Sequence, residues 1–189
     1  MTKLPKQWLS KLRSNSFYNM EIDRIYLRKF KPSDLENVFR GLSHPDIIKY
    51  YGISFNSLEA TKEQMTWFAD LEKNKTGIWW AVCSTKDDTF LGAGGLNDLC
   101  NETKKAEIGF WLLPENWGKG IMTEAMPLII DYGFNKLGLK RIEGFVETKN
   151  ANCKKALKKL NFNLEKTMVD CEVKDGEKIS LDVYTTLNN

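Results

Sequence analysis

The sequence predicts an α+β fold organised on one mixed, mostly antiparallel sheet. Three observations lead to it. Three strand-like stretches follow one another between residues 77 and 114 with only turns between them. A strand–helix–strand unit comes next, over 104–148. The regular strand–helix alternation of a doubly wound sheet is missing. The 189 residues suit one domain with a sizeable core, with room for a small appendage.

The elements follow in order. Residues 1–20 are expected to be an appended segment, with Leu4, Trp8 and Leu12 at helical spacing, and 21–189 to be the single domain. "RIYLRKF" (24–30) alternates Ile25 and Leu27 loosely with charge and predicts a strand. In "KPSDLENVFRGL", Ser33 is the expected N-cap and Glu36 completes a capping box. Leu35, Val38, Phe39 and Leu42 form the apolar stripe behind it. A second helix is expected from about Ser57, with Leu58, Met65, Phe68, Ala69 and Leu71 on its apolar face. "GIWWAVCS" (77–84) is aromatic and β-branched, as a buried strand is. Asp87 and Asp88 turn the chain into "TFLGAGGLNDL", its antiparallel partner. "KKAEIGFWLLP" (104–114) is a strand stopped by Pro114. A helix then runs from about Gly120 to Leu137 with Ile121, Ala125, Leu128, Ile129 and Tyr132 as its stripe. "LKRIEGFVET" (139–148) is a strand, and "NANCKKALKKL" a helix with Asn150 as N-cap. The last two strands meet at the Asp-Gly turn of "KDGE".

Composition removes whole classes of function. A formal charge of +3, from 28 basic and 25 acidic residues, is too mild for a nucleic-acid binder. The four cysteines, Cys83, Cys100, Cys153 and Cys171, show no C-x-x-C pair, so neither a zinc site nor a disulfide framework is expected. A reduced cytoplasm fits. The one histidine, His44, precedes Pro45 in a loop context and reads as a turn residue; a histidine-rich metal site is excluded. "MTKLPKQWLSKLRSN" lacks the apolar run of a secretory signal, and no stretch is long enough to span a membrane.

The chemistry gathers at "PENWGKGIMTEAM" (114–126), where a strand ends, two glycines flank Lys119 and a helix begins. A P-loop needs G-x-x-x-x-G-K-[ST], and here Gly120 follows the lysine. A dinucleotide fingerprint needs a third glycine where Thr123 stands. An acyl-CoA site remains. There the turn's N–H groups and the helix dipole hold a pyrophosphate, and the strand's free backbone holds the pantetheine arm as an added strand would. A plain turn is the alternative.

"AEIGFWLLPENWGKGIMTEAM" resembles motif A of the Gcn5-related N-acetyltransferases (GNAT), in particular the ribosomal-protein (RimJ/RimL-like) branch. "NANCKKALKKLNF", "LGAGGL" and "LDVY", with Asp182 and Tyr184, resemble its later helix, an earlier strand and its closing strand. The likeness covers roughly residues 22–187. It implies the GNAT fold, in which the family's fourth and fifth strands splay apart around the cofactor. It implies acetyl-CoA as cofactor, with backbone groups of Ile108, Phe110 and Leu112 pairing with pantetheine. Gly118, Lys119, Gly120, Ile121 and Met122 would supply N–H groups to the pyrophosphate, and Asn150 would contact the cofactor arm.

The chain departs from the pattern at several positions. Glu115 stands where the superfamily has Arg or Gln and is expected to point to solvent. Pro127 interrupts the helix and should cost it one hydrogen bond and kink it. Asn161 replaces a glycine at a helix end, where it tolerates the left-handed conformation. Leu157 replaces the tyrosine acid of many relatives, and Cys153 a serine. By the resemblance, Cys153 would protonate or hydrogen-bond the leaving sulfur and Glu172 would be the base, with Glu107 as another candidate base through water. Glu124 is expected to serve the helix dipole, and Lys154, Lys155, Lys158 and Lys159 to form a solvated face. Trp79, Trp80 and Trp111 are expected in the core or as walls, and Trp67 is a candidate substrate contact. The implied activity is acetyl transfer to a protein N-terminal α-amine. A small amine as acceptor, or a CoA-binding module without turnover, are the alternatives. Oligomeric state is open, a homodimer included.

Overall fold

The computed structural model describes residues 13–14 and 20–188. Among these residues nine strands form one sheet: β1 (Arg13–Ser14), β2 (Met20–Ile22), β3 (Ile25–Arg28), β4 (Ile78–Ser84), β5 (Phe90–Cys100), β6 (Lys105–Leu112), β7 (Arg141–Glu147), β8 (Asn163–Lys174) and β9 (Glu177–Leu187). Their spatial order is β1-β2-β3-β4-β5-β6-β7-β9-β8. Every neighbouring pair is antiparallel except β6 and β7, so the expected mixed sheet is what the chain builds. The expected helical spacing of Leu4, Trp8 and Leu12 lies outside the described residues. The end of that segment adds two short strands to the sheet edge.

Among the described residues five helices flank the sheet: α1 (Leu35–Leu42), α2 (Pro45–Ile48), α3 (Leu58–Lys73), α4 (Ile121–Asn135) and α5 (Ala151–Lys159). Strand alternation sends side chains to two faces, and each face has its own core. On one, Trp80, Val82, Leu96, Ala106, Ile108 and Ile142 pack against the α4 residues Ala125, Met126, Leu128 and Ile129, and Leu157 of α5. On the other, Trp79, Ala81, Cys83, Ala93 and Trp111 pack against Val38 and Leu42 of α1 and Phe68 and Leu71 of α3. Trp79, Trp80 and Trp111 are all buried.

Two local expectations change. Ser33 is not a cap: a short 3₁₀ turn, Pro32–Asp34, precedes α1 and Asp34 takes the N-cap position. Its buried carboxylate accepts from the Lys31 N–H at 2.7 Å and from Arg28 of β3 at 2.7 and 2.9 Å. A charge pair outcompetes a hydroxyl for that place, because the carboxylate satisfies a backbone donor and a guanidinium together. The one-turn helix α2 has no sustained periodicity to announce it. His44 caps it, its Nδ1 accepting from the Asp46 N–H at 3.3 Å. Asn150 caps α5 as the sequence predicts, and Ser57, expected only as the approximate start of α3, caps that helix. α4 runs continuously through Pro127.

Candidate active site

β6 is paired on both sides for only part of its length. Lys105, Ala106 and Glu107 lie in parallel register with Arg141, Ile142 and Glu143 of β7, and the pairing ends there. The partner of β6 on the other side, β5, stays in register as far as Gly92 and Leu112. From Ile108 onward β6 therefore has a free edge facing a cleft, with β7 diverging across it.

Alternation decides which backbone groups face that cleft. The Lys104 carbonyl accepts from the Lys140 and Arg141 N–H groups, so even-numbered residues of β6 point toward β7. The Leu113 N–H donates to the Leu91 carbonyl, so odd-numbered residues point toward β5. Ile108, Phe110 and Leu112 thus present their backbone to the cleft. At Leu112 the carbonyl already accepts from the Trp117 indole N–H at 2.9 Å.

The free edge leads into the glycine turn. Gly118 and Gly120 have φ of +71° and +78°, a left-handed region that strains side-chain-bearing residues. Gly120 is the N-cap of α4, and no side chain caps that helix. Among the described residues, the N–H groups of Gly118, Lys119, Gly120, Ile121, Met122 and Thr123 donate to no backbone carbonyl. A helix dipole adds positive potential at the same place. Such a cluster of free donors is an anion cradle. Glu115, expected to face solvent, is exposed and receives the Arg40 guanidinium at 2.6 Å. Glu124 serves more than the dipole, because Arg24 grips it in a two-pronged pair.

The far wall of the cleft comes from α5 and β7. The Asn150 side chain accepts from the Cys153 N–H at 3.1 Å. Leu157 is buried against Gly144, where an added Cβ would approach its Cδ1 to 3.3 Å. Cys153 packs at the edge of the α4-side core, and burial alone pushes its thiol up to about 12. That thiol stays protonated at any working pH. It is also a weaker acid than the ordinary thiol it would have to protonate. The lysine face is not uniformly solvated: Lys154 donates to the Thr148 carbonyl at 2.6 Å and to buried Asp182 at 3.1 Å, tying α5 to β9. Lys155, Lys158 and Lys159 are exposed and, with Ala151 and Lys154, line a depression of about 480 Å³.

On the α1/α3 side of the sheet, Glu107 sits opposite Asn97 of β5 and beside Glu143 of β7. Trp79 covers the next same-face position, where a Cβ on Gly109 would lie 2.6 Å from its ring. Desolvation raises the Glu107 carboxyl to about 7, helped by the negative charges of Asp98, Glu143 and Glu172. Tyr51 lies close enough that the Glu107 charge, added to burial, pushes its hydroxyl well above the ordinary range. Glu172 stands on β8 opposite Ile179 and is exposed. The tip of the β8–β9 hairpin is latched over this side by Lys174, which donates to Glu147 and to the Lys49 carbonyl. Trp67 meets Trp79 edge-on, ring centroids 5.9 Å apart, and so packs as part of the wall.

The geometry thus joins Glu107, the free edge at Ile108, Phe110 and Leu112, and the turn from Gly118 to Met122 along one cleft, with Asn150 and Cys153 on the α5 side. The roles of Tyr51 and Arg24 are not legible in the sequence, because each acts across a long sequence separation, and that of Asp98 depends on the β5–β6 pairing.

Residues 24–163 match the family model described as an acetyltransferase (GNAT) domain. An uncharacterized N-acetyltransferase, YoaA of Bacillus subtilis (strain 168), is 30% identical over 167 residues, covering 88% of this chain and 94% of that protein. Two solved structures share the fold. One is a ribosomal L7/L12 α-N-protein acetyltransferase, RimL, in complex with coenzyme A, with a TM-score of 0.79 and 16% identity over 93% of this chain and 97% of that one. The other is spermidine N-acetyltransferase from Vibrio cholerae in complex with CoA and spermine, with a TM-score of 0.78 and 19% identity over 87% and 95%.

Proposed function

Because the chain belongs to the GNAT acetyltransferase family, we propose that it transfers the acetyl group of acetyl-CoA to a primary amine with Glu107 as general base. The observation that carries this reading is the continuity of the cleft. The edge of β6 beyond its last register pair with β7, at Ile108, Phe110 and Leu112, runs from a carboxyl with a pKa of about 7 to a helix start where, among the described residues, six N–H groups donate to no backbone carbonyl. Pantetheine would lie along the edge as an added strand, and the pyrophosphate would sit on the N–H groups of Gly118, Lys119, Gly120, Ile121 and Met122. Asn150 would reach the cofactor arm while it caps α5.

The neutral amine nitrogen attacks the thioester carbonyl carbon, and the carbon–sulfur bond breaks. The proton lost by nitrogen goes to Glu107, directly or through one water, and the departing thiolate takes a proton from solvent. A base with a pKa near 7 is matched to that task. Glu172, exposed on β8, acts on Glu107 through its charge rather than as the base. Cys153 keeps its proton and offers the sulfur at most a hydrogen bond.

The acceptor implied by the ribosomal-protein resemblance is a protein α-amine. A second reading has its own support: Asp98 and Glu172 add negative charge near Glu107, beside a Glu143 already ion-paired with Lys105 and Arg141, and that charge favours a small polycationic amine. We place the enzyme in the cytoplasm, in keeping with four cysteines that are all free. Residues 21–189 are read as the catalytic domain and 1–20 as an appended segment. The test is release of free CoA thiol from acetyl-CoA with N-terminal peptides, polyamines and aminoglycosides in parallel. Amine-dependent release supports the enzyme, and the preferred acceptor separates the two readings. CoA binding with no release for any amine supports a module without turnover.

A further inference from the structure

Arg24 is the one long-range tether of the glycine turn that the hydrogen-bond pattern shows among the described residues. It stands between β2 and β3, nearly a hundred residues from the turn in sequence. Its Nη2 donates to the Lys119 carbonyl at 2.5 Å, while Nε and Nη2 donate to the Glu124 carboxylate at 2.8 and 2.6 Å. One guanidinium thus holds the last peptide of the turn and the first turn of α4 together. A Cβ built on Gly120 would lie 3.3 Å from Nη2, so Arg24 also occupies the space beside that glycine.

The contact at Lys119 has a geometric consequence. In a trans peptide the carbonyl and the following N–H point in opposite directions, and no peptide bond among the described residues is cis. Pinning the Lys119 carbonyl toward Arg24 therefore turns the Gly120 N–H the other way. Lys119 and Gly120 flank that peptide, and Gly120, with φ of +78°, tolerates a wide range of backbone angles. Without the pin the peptide is free to flip, which would present a carbonyl oxygen where an anion expects a donor. Only a forked cation reaches the carbonyl and both carboxylate oxygens at once.

We infer that Arg24, anchored by Glu124, is a positioning residue that orients the Lys119–Gly120 peptide so that its N–H faces the bound diphosphate. The inference rests on the acetyl-CoA reading of the turn. It assigns no chemistry to Arg24, which acts through the backbone it holds.

The test is calorimetric CoA binding by the wild-type protein and by Arg24→Gln, with steady-state kinetics and thermal unfolding alongside. The expected result is a roughly tenfold rise in Kd for CoA and in KM for acetyl-CoA, equivalent to about 1.4 kcal/mol. The fall in kcat at saturating cofactor should be less than about threefold, and KM for the amine should not move. A purely structural role would instead lower the unfolding temperature and the active fraction while leaving KM unchanged, and that outcome overturns the inference. Where Arg24→Gln does not fold, Arg24→Lys replaces it: the charge opposite Glu124 is kept and the fork is lost, so a rise in KM is again expected. Wild-type protein that binds no CoA refutes the reading of the turn and this inference with it. Wild-type binding with unchanged affinity in the variant refutes the inference alone.

Discussion

The two ends of the β6–β7 cleft are made of different material. The glycine-turn end is built from backbone: free N–H groups, an open strand edge and two residues with positive φ. The Glu107 end is built from side chains: a partly desolvated carboxyl, three further acids, Tyr51 and a hairpin latched by Lys174. Backbone donors carry partial charges that do not titrate and cannot be removed by changing one side chain. Side-chain charges titrate, shift one another and can be exchanged. The first end suits a cofactor of unvarying shape, and the second suits an acceptor that differs from enzyme to enzyme.

The largest effect should come from the side-chain end. Glu107→Gln removes the proposed base, and kcat should fall about 10²- to 10⁴-fold. In the wild-type enzyme, kcat/KM should rise with pH through about 7, because Glu107 accepts a proton only once ionised. That limb should be missing in the variant. The sign for stability is opposite. The folded pKa is raised, so the neutral form is favoured and stability is lost as pH rises through about 7.

The backbone end should answer next, and to glycine changes. Gly118→Ala meets no neighbour within 4 Å, so its cost is left-handed strain alone, about 1–2 kcal/mol. Gly120→Ala adds a contact 3.3 Å from the Arg24 guanidinium and should weaken CoA binding more than Gly118→Ala. Equal effects, measured by CoA titration, would mean that Arg24 gives way without consequence.

Cys153→Ala comes third. The thiol is held protonated near 12, so kcat should stay within about threefold of wild type. Lost packing should lower stability by about 1 kcal/mol, read from thermal unfolding. A hundredfold fall in kcat would restore Cys153 to the chemistry.

Glu172→Gln should give the smallest change. Removing a negative charge near Glu107 lowers its pKa, so the acid limb should move down by a few tenths of a unit, as a weakly coupled exposed charge allows. A collapse of kcat in this variant would instead make Glu172 the base.

The same contrast explains what the sequence disclosed. Gly118 and Gly120 around Lys119, Pro114 before them and Asn150 later are local devices, and local spacing exposes them. Ile108, Phe110 and Leu112 come from the resemblance, and the tertiary contact of the Lys104 carbonyl with Lys140 and Arg141 shows that their parity faces the cleft. Glu107 was visible as a candidate, but its raised pKa depends on Asp98, Glu143 and Glu172, which folding brings in from three other strands or their ends. Ser33 misled because the competing partner of Asp34, Arg28, lies on β3 rather than in the helix. Lys154 looked solvated because its partner Asp182 is 28 residues away. Arg24 gave no local signal at all, since both its partners lie near residue 120.

Amide-resolved NMR during titration with CoA tests the cleft most directly. The account predicts large shifts at the N–H groups of Gly118, Lys119, Gly120, Ile121 and Met122 and at the cleft-facing amides of Ile108, Phe110 and Leu112. The β5-facing amides of Gly109 and Trp111 should move much less. Shifts confined to the exposed lysine face of α5, at Lys155, Lys158 and Lys159, with the glycine turn unmoved, would contradict it.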